Sequence, residues 1–302
     1  MKRILLTGAD GFTGRYLATA LAEAGNEVHG LVRQSMTPPI GALSAEHVCD
    51  LHDAAGVAAV VRQVRPHKVA HLAAIAFVAH GDAESIYRTN LLGTRHLLEA
   101  LAALQASPKA VLLASSANVY GNATAGVIDE SAPLAPANDY AVSKLAMEHV
   151  ARLYAERLPI VVSRPFNYTG VGQSESFLLP KIVAHAKRRA SVIELGNLDV
   201  ERDFSDVRTV VEAYRRLLDC PAAIGQTFNV CSGRAHSLRD VLLLVSMITG
   251  HDMPVHVNPA FVRSNEVKKL LGSHSRLDAM VGTLPSISLE TTLRWMIEAP
   301  GA

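Results

Sequence analysis

Ile4-Leu5-Leu6-Thr7-Gly8-Ala9-Asp10-Gly11-Phe12-Thr13-Gly14 stands almost at the start of the 302-residue chain. Ile4 to Thr7 is a short apolar run, suited to a strand buried on both faces. Glycines follow at G-x-x-G-x-x-G spacing, and Tyr16, Leu17, Ala20 and Leu21 then recur at helical intervals. Strand, glycine loop and helix in that order place backbone N–H groups and a helix N-terminus where an anion can sit. At the first strand–helix junction of a chain this predicts a site for a dinucleotide pyrophosphate, although the commoner spacing is G-x-G-x-x-G.

The pattern repeats outward from that stretch. Glu27 to Val32 reads as a second strand, and a further short run ends at Cys49-Asp50-Leu51. A helix from Asp53 to Val64 leads to a strand at Lys68 to Ala74. One long helix is expected over Ser85 to Leu104, then strands at Ala110–Ala114 and Ile160–Ser163 around a helix that begins near Tyr140. Strands alternating with helices from Ile4 to Ser163 predict an α/β fold, a doubly wound parallel sheet of Rossmann type. After Arg164-Pro165 the alternation weakens. Residues 1–165, with a return segment at about 202–231, are expected to form the dinucleotide-binding domain, and 166–201 and 232–302 a smaller substrate-binding cap.

Composition narrows the function. The net charge is +1, with no acidic or basic block, which argues against nucleic acid or an anionic membrane as the main partner. Cys49, Cys220 and Cys231 are too widely spaced for a disulfide framework or a metal-ligand pattern. His67 and His71 have H-x-x-x-H spacing, but Lys68 stands where a zincin carries glutamate, so no metal is expected. No signal peptide and no apolar run of membrane-spanning length are read, and a cytoplasmic protein is expected.

Two stretches carry chemistry. Ser115-Ser116-Ala117-Asn118-Val119-Tyr120-Gly121 follows a strand, which places a hydroxyl at the mouth of the crevice where open α/β sheets bind ligands. In Asn138-Asp139-Tyr140-Ala141-Val142-Ser143-Lys144, a helix puts Tyr140 and Lys144 on one face. A free phenol has a pKa of about 10, and bringing it to about 7 takes about 4 kcal/mol of preference for the phenolate. One ammonium about 4 Å away supplies roughly that much at an effective dielectric of about 20. The expectation is therefore an acid/base pair needing neither histidine nor metal. Where an NAD site usually places an acid, after the second strand, the chain has Arg33, which suits a 2′-phosphate. NADP(H) is favoured and NAD(H) remains open. His71 fits a packed core position or a cofactor contact equally.

The glycine loop, Ser116 and Y-A-V-S-K, in this order, resemble the extended short-chain dehydrogenase/reductases that act on nucleotide sugars. H-L-A-A, N-L-L-G-T, R-P-F-N-Y-T-G, R-D-F-S-D-V and R-S-N-E-V-K-K extend the likeness nearly end to end. It is nearest to the GDP-mannose branch, the 4,6-dehydratases and the 4-keto-6-deoxy-mannose reductases. The resemblance implies Ser116, Tyr140 and Lys144 as the catalytic set. It places Gly8, Gly11, Phe12, Thr13 and Gly14 at the pyrophosphate, Arg33 at the 2′-phosphate, and Asp50 and Leu51 near adenine. Ala73 and Asn90 are implied near the cofactor or its supporting loops. Asn118, Asn167, Lys181, Arg202, Arg263 and Glu266 are implied on the sugar-nucleotide side. The dehydratases carry a glutamate base two residues after the catalytic hydroxyl. Here that residue is Asn118, which favours reduction of the C4 ketone of a GDP-4-keto-6-deoxy-hexose. A sugar-nucleotide 4-epimerase and a GDP-mannose 4,6-dehydratase are the alternatives. The resemblance also implies a homodimer.

Overall fold

The computed structural model describes residues 1–76, 82–121, 126–261 and 269–300. The expected alternation is present: β1 (Arg3–Thr7), α1 (Phe12–Glu23), β2 (Glu27–Val32), β3 (Ala45–Val48), α2 (Ala54–Val64) and β4 (Lys68–His71) open the chain. After α3 (Ala83–Tyr87) and α4 (Thr94–Ala102) come β5 (Ala110–Ala114), the short β6 (Val127–Ile128), α5 (Asp139–Arg152) and β7 (Ile160–Pro165). The later elements are β8 (Asn167–Thr169), α6 (Leu178–Lys187), β9 (Ile193–Leu195), β10 (Glu201–Asp206), α7 (Val207–Asp219) and β11 (Thr227–Val230). They are followed by β12 (Ala235–Ser237), α8 (Leu238–Thr249), β13 (Val255–Val257), β14 (Lys269–Gly272), α9 (Ser275–Val281) and α10 (Leu289–Glu298).

Seven strands pair in the order β11-β7-β5-β4-β1-β2-β3, all parallel. Their side chains alternate between two cores, as a period of two requires. Ile4 and Leu6 join Leu17, Leu21, Val210 and Tyr214 beneath α1 and α7. Leu5 joins Val57, Val61, Leu97, Leu101 and Met147 beneath α2, α4 and α5. An unbroken apolar strand is thus what a sheet covered on both faces needs. α7 shows the complementary helical pattern: Val207, Val210, Val211, Tyr214, Leu217 and Leu218 are buried along one stripe.

Two expectations are corrected. The single helix over Ser85 to Leu104 is broken by a π-helical turn at Arg88–Gly93. Asn90 within it turns both ends of its amide on Ile75, accepting from the backbone N–H at 2.8 Å and donating to the carbonyl at 3.1 Å. The extra residue per turn swings this side chain onto the loop after β4. The return to the main sheet also starts later than Arg202. Residues 201–206 pair instead with β8, β12 and β14 in a second, five-stranded sheet, and α7 makes the return from Val207. Asp203, fully buried, ties that sheet together by accepting from Ser232 N at 2.8 Å, Ser232 Oγ at 2.6 Å and Gly233 N at 2.9 Å. α6, α8 and α10 pack a third core around Ile182, Val241 and Leu293. Among the described residues no helix is long and apolar enough to cross a membrane.

Between α5 and β7 lies an ion pair with both members almost fully enclosed. Arg164 donates from Nε and Nη2 to the two carboxylate oxygens of Glu148, at 2.9 and 2.6 Å. Its Nη1 donates to the Tyr120 hydroxyl at 3.0 Å, which in turn donates to Asn229 Oδ1 at 2.7 Å. Removing one partner strands a buried charge. Arg164→Met should cost about 3–5 kcal/mol in urea unfolding, whereas Arg164→Met with Glu148→Leu should recover most of that loss.

Candidate active site

From β1 the chain winds through β2 to β3, and from β4 it winds the other way through β5 and β7 to β11. The two directions part at the β1/β4 seam, and the carboxyl ends of these strands frame a crevice there. Gly8 follows β1 at φ +68°, and a Cβ on it would lie 2.8 Å from Ala73 N, so the loops after β1 and β4 meet backbone to backbone. A Cβ on Gly14 would stand 2.0 Å from the Gly8 carbonyl oxygen. Only glycine permits α1 to start this close to its own loop. The α1 N-cap, Gly11, makes no side-chain capping bond, and the first turn holds no acid. Its orphan N–H groups and positive dipole end therefore suit an anion, and the cradle fits a pyrophosphate.

The remaining residues expected near the coenzyme are distributed along the same edge. Phe12 stacks on Tyr168 with ring centroids 6.2 Å apart, and Thr13 Oγ1 lies 2.8 Å from the Tyr168 hydroxyl. Arg33 is exposed directly after β2. Asp50 is exposed and accepts from His52 N at 2.9 Å, while Leu51 is buried in the core with its carbonyl 2.8 Å from His96 Nδ1. Ala73 N donates to Thr7 Oγ1 at 3.2 Å. Asn90 is buried and spent on Ile75 and on Ser143 Oγ, 3.0 Å away, which makes it a brace for the site loops. His71 is a packed core histidine. Its two ring nitrogens lie 2.7 Å from Thr7 Oγ1 and 2.8 Å from Thr94 Oγ1, and burial pushes its pKa down to about 3.

Ser116, Tyr140 and Lys144 come together at this edge, all buried. Ser116 caps the turn Ala117–Tyr120 and accepts from Asn118 N at 3.2 Å, which leaves its own proton to donate. A hydrogen bond from that hydroxyl reaches Tyr140 and lowers the phenol's pKa. Tyr140 occupies the first turn of α5, whose cap Asn138 accepts from Ala141 N at 2.9 Å. Lys144 donates from Nζ to the Ala114 carbonyl at 2.7 Å. The electrostatics differ from the expectation that lysine brings the phenol toward 7. Desolvation dominates and pushes Tyr140 up to about 12, with the Ser116 bond acting against it. Lys144, desolvated but beside Glu148, is lowered to about 8. The ammonium has committed to a backbone carbonyl, and burial penalises the phenolate more than its surroundings favour it. At pH 7 both groups carry their protons.

The residues expected on the sugar-nucleotide side are less concentrated. Asn118 is half-buried beside Ser116, and Asn167 is exposed at the start of β8. Lys181 lies in α6, donates to the Glu194 carbonyl at 2.8 Å and sits 4.7 Å over the Phe261 ring. Arg202 lies on β10 opposite Leu270 and donates to its neighbour's carbonyl at 2.9 Å. Arg263 and Glu266 fall outside the described residues. Sequence reasoning passed over Glu148, Arg164 and Ser115, which interlock beneath the site. The available signal was Glu148 itself, an acid one turn beyond Lys144 on the same helix face.

A protein-family model described as GDP-mannose 4,6 dehydratase matches residues 5–296. A GDP-6-deoxy-D-talose 4-dehydrogenase from Aggregatibacter actinomycetemcomitans is 33% identical over 281 residues, covering 93% of this chain and 91% of that one. A GDP-6-deoxy-D-mannose reductase from Pseudomonas aeruginosa is 34% identical over 304 residues, covering 97% and 95%. The structure of RMD from that organism, complexed with NADPH, superposes with a TM-score of 0.86 at 32% identity over 98% of each chain. A candidate epimerase from Burkholderia cenocepacia superposes with a TM-score of 0.93 at 53% identity, over 98% of this chain and 97% of that one. The seven-stranded parallel sheet accords with these matches, and the chain belongs to the GDP-mannose 4,6 dehydratase family of short-chain oxidoreductases.

Proposed function

We propose that this protein reduces the C4 ketone of a GDP-4-keto-6-deoxy-hexose to GDP-6-deoxy-D-mannose (GDP-D-rhamnose), with NADPH preferred to NADH. The observation that carries the reading is a buried Tyr140 that holds its proton, with the Ser116 hydroxyl upon it and Asn118, not a carboxylate, two residues on. A ketone reduction consumes a proton at the developing alkoxide, and a neutral phenol supplies it. The elimination step of a dehydratase needs a base beside the ketone, and an amide at position 118 cannot take a proton.

With the coenzyme's pyrophosphate in the Gly8–Gly14 cradle, its reduced nicotinamide would supply hydride to C4. With substrate bound, Ser116 turns its proton from Tyr140 to the ketone oxygen and stabilises the negative charge that grows there. Tyr140 passes its proton to the same oxygen. Lys144 keeps a positive charge beside the phenol and so makes the phenolate left behind less costly. Arg33 would meet a 2′-phosphate, because its planar fork matches phosphate oxygens. Asp50 and Leu51 would lie near adenine. Asn167, Lys181, Arg202, Arg263 and Glu266 would serve the GDP-sugar, with the arginines on the diphosphate and Glu266 on the nucleoside ribose. Residues 1–165, with 207–231, would hold the coenzyme, and the remainder would close over the sugar nucleotide. We further take the working form to be a homodimer joined through α5 and the π-helical turn that leads into α4, where Leu92 in that turn, Val142 on α5 and Leu153 at its end are exposed.

Purified enzyme should oxidise NADPH when given GDP-4-keto-6-deoxy-mannose, and NMR of the product should show the manno configuration at C4. The C4 epimer, GDP-6-deoxy-talose, would keep the reaction class and correct the stereochemistry. Interconversion of sugar nucleotides without net NADPH use would replace the reading with epimerisation. Tyr140→Phe should lower kcat by about 10²–10⁴-fold while leaving coenzyme affinity, read by fluorescence titration, nearly unchanged. Lys144 titrates near 8, so kcat should be level around pH 7 and fall as pH rises through that value, because the neutral amine no longer steadies the phenolate.

A further inference from the structure

Three consecutive residues at the end of β5 are held by three side chains spaced one turn apart on α5. Tyr140 meets Ser116, Lys144 Nζ meets the Ala114 carbonyl at 2.7 Å, and Glu148 Oε1 accepts from Ser115 Oγ at 2.5 Å. The first two contacts belong to the proton-donating group described above. The third involves a carboxylate with no part yet assigned, only 2% exposed. Burying an ionised carboxylate is costly unless it is paired. Here Arg164 grips both oxygens from β7, on a guanidinium itself only 3% exposed. The carboxylate and the guanidinium thereby form an enclosed ion pair. At i,i+4 the Glu148 Cβ stands about 6 Å from that of Lys144.

We propose that Glu148 is a positioning residue of this active site: through Ser115 it fixes the strand end that carries Ser116, and it sets a carboxylate one helical turn from the Lys144 side chain. The proposal rests on the reading of Lys144 as the group that steadies the Tyr140 phenolate. Among the described residues the charges around Lys144 are few. On its own helix stand Tyr140, protonated at neutral pH, and Glu148. From β4 comes His71, whose pKa of about 3 leaves it uncharged. From β5 comes only the Ala114 carbonyl, and from β7 comes Arg164, engaged with Glu148. Burial lowers the lysine's proton affinity to about 8, and Glu148 opposes that fall. Without that carboxylate burial acts unopposed, and the lysine's proton affinity falls further.

The test is a titration of Lys144 itself, followed by NMR on enzyme labelled with ¹³C-lysine, the signal assigned through Lys144→Arg. In Glu148→Gln the midpoint should fall by about one unit. Glu148→Gln with Arg164→Met, which leaves no unpaired guanidinium, should shift it in the same direction and covers the case in which the single variant does not fold. A midpoint at the parent value in the folded variants would overturn the proposal, because a purely structural carboxylate would not move it. The high-pH fall in kcat should shift downward with the midpoint, while KM for the coenzyme stays near the parent value. A shifted midpoint in enzymes that all, the parent included, fail to reduce any keto-sugar nucleotide would defeat the reductase reading and leave the role of Glu148 intact.

Discussion

The site depends on one contact, the face of α5 laid against the carboxyl end of β5. Helical spacing presents Tyr140, Lys144 and Glu148 in a row, and three successive residues of the strand end receive them. This geometry needs α5 to begin at a fixed point. The Asn138 cap supplies it by satisfying the Ala141 N–H. It also needs the strand end to be immobile, which the Ser115–Glu148–Arg164–Tyr120–Asn229 chain of hydrogen bonds provides. A buried polar network of this kind is stabilising only when each member is satisfied, so it specifies a single arrangement.

Burial sets the electrostatics as strongly as proximity does. A phenol and an ammonium four residues apart on a helix invite the expectation of a depressed tyrosine pKa. In the folded chain both are enclosed, and desolvation acts on each in the direction of its neutral form. The phenol moves up and the amine moves down. At neutral pH the outcome is a site holding two protons, a state ready to donate to a developing alkoxide.

Buried acids pin the later elements of the chain to one another. Asp203 gathers the Ser232–Gly233 turn onto β10. Asp206, which caps α7, accepts from the Arg208 backbone at 2.8 Å, from its guanidinium at 2.9 and 2.7 Å, and from Thr292 of α10 at 2.7 Å. Arg208 in turn lies 4.0 Å over the Trp295 ring, which meets Tyr16 of α1 edge-on at 6.0 Å. The helix that starts at the glycine cradle is thus in direct contact with the last helix of the chain.

The sequence alone determined the doubly wound sheet, because strand burial on both faces leaves unbroken apolar runs and the glycine loop marks the first junction. It also placed Ser116 just after a strand and Tyr140 and Lys144 one turn apart on a helix, since strand ends and helical spacing are local properties. The π-helical turn at Asn90, the small sheet that claims residues 201–206, the neutral burial of His71 and the pairing of Glu148 with Arg164 were decided only by the tertiary structure. Each of these depends on a partner distant in the chain, such as Ile75 for Asn90 or β14 for β10. The direction of the Tyr140 pKa shift has the same origin: a sequence records the spacing of charges along a helix, and only the folded chain fixes how much water is removed from around them.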